Sequence, residues 1–157
     1  MSFVAIFFLS WLFVSIFAVI RKKLNILENT VIFLVILTLS INFSWIIIDE
    51  FQLITVTQKA LPYLGFLLNR SIVLPIIMVI LVNLVLKSKD TKHKIIITIS
   101  CELLLLMISF LSSWIGITEF KRWNYLYEGL YYLFMILMAF TVLKAFQKLA
   151  VEVSTNS

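Results

Sequence analysis

The sequence predicts an all-α integral membrane bundle of five transmembrane helices, with the N-terminus outside and the C-terminus cytoplasmic. Three observations carry that expectation: the apolar composition, five apolar runs of near-spanning length, and Lys and Arg gathered on alternate sides of those runs. Of 157 residues, 62% are hydrophobic and 13% charged, and mean hydropathy is +1.10. Soluble domains hold roughly 45–50% apolar and about 25% charged residues, so a water-soluble globule is excluded. Gly (3) and Pro (2) are scarce, which favours long helices over loops. Once the spans are counted no room remains for a soluble domain, and residues 1–157 read as a single transmembrane domain.

A hydrocarbon core about 30 Å thick needs about 20 apolar residues in a helix. The first span covers 3–20 and ends at Arg21-Lys22-Lys23. The second covers 30–48 and stops at Asp49-Glu50. The third, 64–86, has Asn69-Arg70 near its start and Pro75 inside it. The fourth is 95–117, "IIITISCELLLLMISFLSSWIGI", and the fifth is 123–143. Residues 149–157 read as a polar, frayed cytoplasmic tail. The first run has no basic residue before it and no A-x-A site, so it reads as an anchor and not a signal peptide. The connection "DEFQLITVTQKALPY" is too apolar for a free loop. It reads as an interfacial segment or as an extension of the second helix, with Pro62 opening the next one.

Orientation follows from the basic residues. One side collects Arg21, Lys22, Lys23, Lys87, Lys89, Lys92, Lys94, Lys144 and Lys148; the other collects Lys59, Arg70, Lys121 and Arg122. Nine against four puts the first group in the cytoplasm, and the expected location is the cytoplasmic membrane. The same placement, in short loops beside apolar runs, leaves no basic face for nucleic acid. The expected partners are the lipid bilayer and another membrane protein or a second copy of the chain.

Few polar groups lie within the spans. Glu102 sits in the fourth, where an ionised carboxylate costs about 2.5 kcal/mol or more. Thr98, Ser109, Ser113 and Gly116 share its helix face, a small-residue stripe of the kind that seats neighbouring helices. Glu102 is therefore expected to point into the bundle, with Asn83 of the third span at similar depth and available for a hydrogen bond. Two readings stay open: a proton-carrying or cation-binding acid, and a protonated glutamate that ties helices together. A second cluster gathers at the outer ends: Asn42, Asn69, Arg70, Trp123, Asn124 and Glu128, with Arg70 and Glu128 placed to form a charge pair. It reads either as a polar pocket for a ligand or as packing and interfacial anchoring. Glu128, Tyr132, Met135 and Ala139 mark the packing face of the fifth span.

Chemistry of other kinds lacks its residues. Cys101 is the single cysteine and reads as a buried apolar residue; no Cys/His cluster suggests a metal, and no cofactor is implied. His93, the lone histidine, lies between Lys92 and Lys94 and reads as solvated, in a loop suited to anionic headgroups. Neither HExxH nor G-x-S-x-G occurs, and there is no Gly-rich phosphate loop. Membrane lipid enzymes generally use several His or Asp residues, against His93, Asp49 and Asp90 here. No catalytic activity is expected.

"NRSIVLP" (Asn69 to Pro75), Glu102 early in a span and "WNYLYEGLYYLF" (Trp123 to Phe134) together resemble an uncharacterised family of small five-span membrane proteins known mainly from spore-forming Firmicutes. The similarity covers roughly the C-terminal two-thirds of the chain. It implies that Asn69, Pro75, Glu102, Trp123 and Asn124 are recurring polar and helix-shaping positions, and it implies the architecture without an activity. Members often carry a late histidine in the last span and a tryptophan before the third. This chain has Phe140 in the first place and no Trp between Phe51 and Tyr63. The functional expectation is a non-enzymatic binding, sensing or assembly protein. The alternative is a small proton-coupled carrier or permeability factor using Glu102.

Overall fold

The structure is a computed structural model and describes residues 2–155. In chain order it contains α1 (Ser2–Val19), α2 (Ile26–Trp45), a π-helical turn (Ile46–Glu50), strand β1 (Ile54–Val56) and α3 (Ala60–Leu68). A second π-helical segment (Asn69–Val73) follows, then α4 (Leu74–Lys87), α5 (Thr91–Trp114), β2 (Thr118–Phe120) and α6 (Tyr125–Thr155). This is an all-α membrane bundle. Four helices are long and apolar enough to cross a membrane: Ile26–Glu50, Ala60–Lys87, Thr91–Trp114 and Tyr125–Ala150. The first apolar helix, Phe3–Val19, is shorter.

Local chemistry sets the helix ends. Asn25 and Glu28 form a reciprocal capping box, so α2 starts at Ile26 and not near residue 30. Asp90 accepts from the Lys92 amide at the start of α5. Asn124 accepts from the Tyr127 amide and opens α6. Pro62 falls in the first turn of α3, where its missing N–H costs nothing. Gly116 leaves α5 at φ +72°, a left-handed turn that suits glycine. α6 continues through Thr155. Its last turns carry residues of good helix propensity, including Lys148, Leu149 and Ala150. Asn156 and Ser157 lie outside the described residues.

Pro75 reshapes the third span. Proline lacks an amide hydrogen and its ring clashes with the carbonyl four residues back, here Ser71. The chain answers with the wide turn Asn69–Val73, in which the Leu74 amide reaches Asn69 O. Such π-bulges relieve an interrupted hydrogen-bond ladder and recur at functional sites. The Ile46–Glu50 turn closes the same way, Phe51 N donating to Ile46 O at 2.9 Å. It is the extension of the second helix that the sequence allowed.

Beyond it lies a feature absent from the sequence expectations. β1 pairs antiparallel with β2, Thr55 opposite Glu119, and the Lys121 and Arg122 amides both donate to Leu53 O. The two connections at this end are thereby joined into one cap, called below the sheet end. The opposite, basic end holds the α1–α2 and α4–α5 connections.

α4 is the core. Leu74 to Val79 and Leu81 to Asn83 are all buried, because the helix is apolar on every side and packs against α1, α2, α5 and α6. α1 lies mainly along α3. On α6 the buried set includes Glu128, Tyr132, Met135 and Ala139, the face the sequence predicts. Large apolar side chains such as Phe8, Trp11, Leu103, Met107, Phe110 and Leu137 point outward. An exterior as apolar as the interior is the surface of a bundle solvated by lipid.

Candidate functional site

Asn83 is not part of a shared site with Glu102. Its Oδ1 accepts from the Lys23 and Leu24 amides, at 2.9 and 3.1 Å. Its Nδ2 donates to Asn29 Oδ1 at 2.7 Å and to Val79 O at 2.9 Å. All four hydrogen-bonding positions of this fully buried amide are used. The expected pairing fails for two reasons. Asn83 faces α2 and the α1–α2 connection, whereas Glu102 faces α6. The two also differ in depth, since α5 begins at Thr91, which puts Glu102 about 16 Å along its helix at 1.5 Å per residue. Asn83 lies one turn from the end of α4 at Lys87.

Glu102 does point inward. Both carboxyl oxygens are buried, and neither has a hydrogen-bond partner. They lie against Gly129 of α6: a Cβ there would stand 3.5 Å from Oε1. Gly129 carried no assignment from the sequence, and it is the residue of α6 that the carboxyl lies against. The buried face of α5 is Cys101, Leu105, Ile108, Ser109 and Ser112, so Ser112 takes the place expected for Ser113. An unsatisfied buried polar group costs about 1–3 kcal/mol. Glu102→Leu is therefore expected to stabilise the protein in detergent by about 1–3 kcal/mol, with Glu102→Gln gaining less. A lower melting temperature for the leucine variant would show that the acid has a partner.

The outer cluster assembles in part. Glu128, 9% exposed, is held by three donors: Ser109 Oγ at 3.1 Å, Trp123 Nε1 at 2.6 Å and Tyr132 Oη at 2.8 Å. Three donors on two oxygens suit an ionised carboxylate. The expected Arg70–Glu128 ion pair is absent. Arg70 and Glu128 instead line one cavity of about 80 Å³. The Pro75-induced wide turn carries Asn69 and Arg70 into its wall, and β1 and β2 contribute Ile54, Thr118 and Phe120. Asn42 is outside the cluster, exposed on α2 and donating to its own Thr38 O. Asn124 serves as the cap of α6.

Arg70 is the unusual member. Its guanidinium lies over the Phe66 ring, Cζ 5.3 Å from the centroid, and its Nε is buried without a partner. Its carbonyl accepts from Ser40 Oγ at 3.2 Å, and Ser40 in turn receives Tyr131 Oη at 3.5 Å. Ser112 Oγ, in the cavity wall, is also buried and unpaired. On the sheet side a larger, more polar vestibule of about 440 Å³ is lined by Asp49, Gln52, Gln58 and Tyr63, and it shares Ser44, Ile48, Ile54, Phe66 and Arg70 with the cavity. Arg70 thus stands between the vestibule and the interior. The sequence contained Arg70 and Glu128 but not Ser40, Ser44, Ser109, Ser112 and Tyr131 as site members. Their only signal is a hydroxyl on a helix face that becomes buried once α2, α5 and α6 meet.

Comparison with protein-family models, with curated proteins and with solved structures finds no match to this chain.

Proposed function

We propose that this multi-pass membrane protein is non-enzymatic and binds a small polar ligand in the sheet-end cavity, as a sensor or binding partner in the membrane. The observation that carries the reading is Arg70, whose buried Nε has no hydrogen-bond partner, at the junction of a vestibule and a polar cavity. A buried guanidinium N–H kept for packing alone finds an acceptor, because leaving it unmet is costly. Here Glu128, the acid of the same cavity, is occupied by other donors.

Native mass spectrometry of the protein released from its own membranes tests this. Wild type is expected to carry one small adduct of constant mass. Ser112→Leu, which fills the cavity, is expected to lose it. Wild type free of any adduct, and unchanged in melting temperature by a small-molecule extract, would count against binding.

One observation favours a second reading, a proton-coupled carrier. Glu102 lies unpaired against Gly129, the residue after Glu128, and a wide turn, Asn69–Val73, sits in the third span beside the cavity. That reading expects flux in reconstituted vesicles that is abolished by Glu102→Gln.

A further inference from the structure

We infer that the ligand of the sheet-end cavity is a small carboxylate, held by the fork of Arg70; this rests on the binding reading above and specifies its chemistry. The inference starts from a mismatch between donors and acceptors. Glu128 already receives Ser109, Trp123 and Tyr132, so the cavity's acid is satisfied from within. Arg70 supplies up to five N–H donors, and its buried Nε has no partner. Ser112 Oγ is unpaired in the same wall. What the site lacks is an acceptor. A planar carboxylate is the group that two parallel guanidinium N–H bonds fit best.

Size narrows the class. A cavity of about 150 Å³ holds benzene, so about 80 Å³ admits a group of roughly half that size. Acetate or the core of a small amino acid matches it, with any longer substituent left in the vestibule. Phe66 flanks the guanidinium from one side. Two acids line the passage, Asp49 in the vestibule and Glu128 in the cavity. They bear on whether the carboxylate arrives as a simple anion or with its own ammonium group.

The test is calorimetric titration of the full chain in lipid nanodiscs, at constant ionic strength, with acetate, glycine, methylammonium and glycerol as probes. Acetate or glycine is expected to bind saturably at one site per chain. Arg70→Met should weaken that binding by at least about tenfold. Arg70→Lys keeps the charge without the fork, and is expected to fall between the two; its melting transition verifies that the variant is folded. If glycine binds more tightly than acetate and Glu128→Gln removes the difference, the ligand is a zwitterion. If the two bind alike and Glu128→Gln changes neither, it is a simple carboxylate. Three results overturn the inference: carboxylate binding undiminished in Arg70→Met, saturable binding of methylammonium or glycerol only, and no carboxylate binding to folded wild type. The adduct found by native mass spectrometry separates these from failure of the binding reading, because it reports any small ligand whatever its charge.

Discussion

Replacing Asn83 by leucine is expected to destabilise the protein by about 2–4 kcal/mol, the largest effect of any single substitution considered. The amide is 1% exposed and joins three elements at once. Two bonds secure the amides of the α1–α2 connection, one pairs with Asn29 of α2, and one returns to Val79 within α4. Interhelical hydrogen bonds in membranes average about 0.6 kcal/mol, which sets a lower bound of about 2 kcal/mol for the three that leave α4. Orphaned buried groups cost about 1–3 kcal/mol each, and leucine orphans the Lys23 and Leu24 amides, which raises it. Denaturation of the detergent-solubilised protein by SDS, followed by circular dichroism, measures this. A midpoint equal to wild type would mean that water reaches the α1–α2 connection and replaces the amide.

Glu128→Leu is expected to cost about 2–3 kcal/mol, while Glu128→Gln costs about 1 kcal/mol or less. The reasoning turns on which donors can adapt. Leucine leaves Ser109 Oγ, Trp123 Nε1 and Tyr132 Oη without an acceptor in the bundle interior. Glutamine retains one oxygen, which serves the indole N–H, a group that only donates. Its NH₂ then faces two hydroxyls, and hydroxyls rotate to accept. Relief of a buried charge offsets part of the loss in both variants. Equal destabilisation by leucine and glutamine would show that charge, and not the hydrogen-bond count, is what the three donors hold. The two predictions concern opposite ends of the bundle and share no partner, so the double variant should show additive losses.

The legible part of the site was its inventory. Arg70, Glu128 and Glu102 stand out in the sequence because a charged residue among apolar ones in a span is rare and costly. Their partners did not stand out. Arg70 and Glu128 were expected to meet as opposite charges at one depth. The wide turn before Pro75 and the hydroxyls of Ser109 and Tyr132 divide them between two walls of a cavity. Asn83 and Glu102 were matched by position within their spans. The true start of α5 at Thr91 and the facing of α4 toward α2 separate them. The strands illustrate a signal that was present but too short. "LITVT" is rich in β-branched residues, yet three residues become a strand only when another three, more than sixty positions on, come alongside.

What the sequence alone determined is the solvent of this protein and its helical, multi-span architecture. Both follow from sums over many residues: apolar runs long enough for a bilayer, few helix breakers, and basic residues kept in the short connections. Such sums survive errors at single positions. Tertiary structure decided which polar groups meet. A membrane bundle is apolar inside and out, so hydrophobic periodicity, the signal that orients helices in soluble proteins, is weak here. Without it, the facing of α4 toward α2 and of Glu102 toward Gly129 depends on close packing and on a few hydrogen bonds between residues distant in the chain.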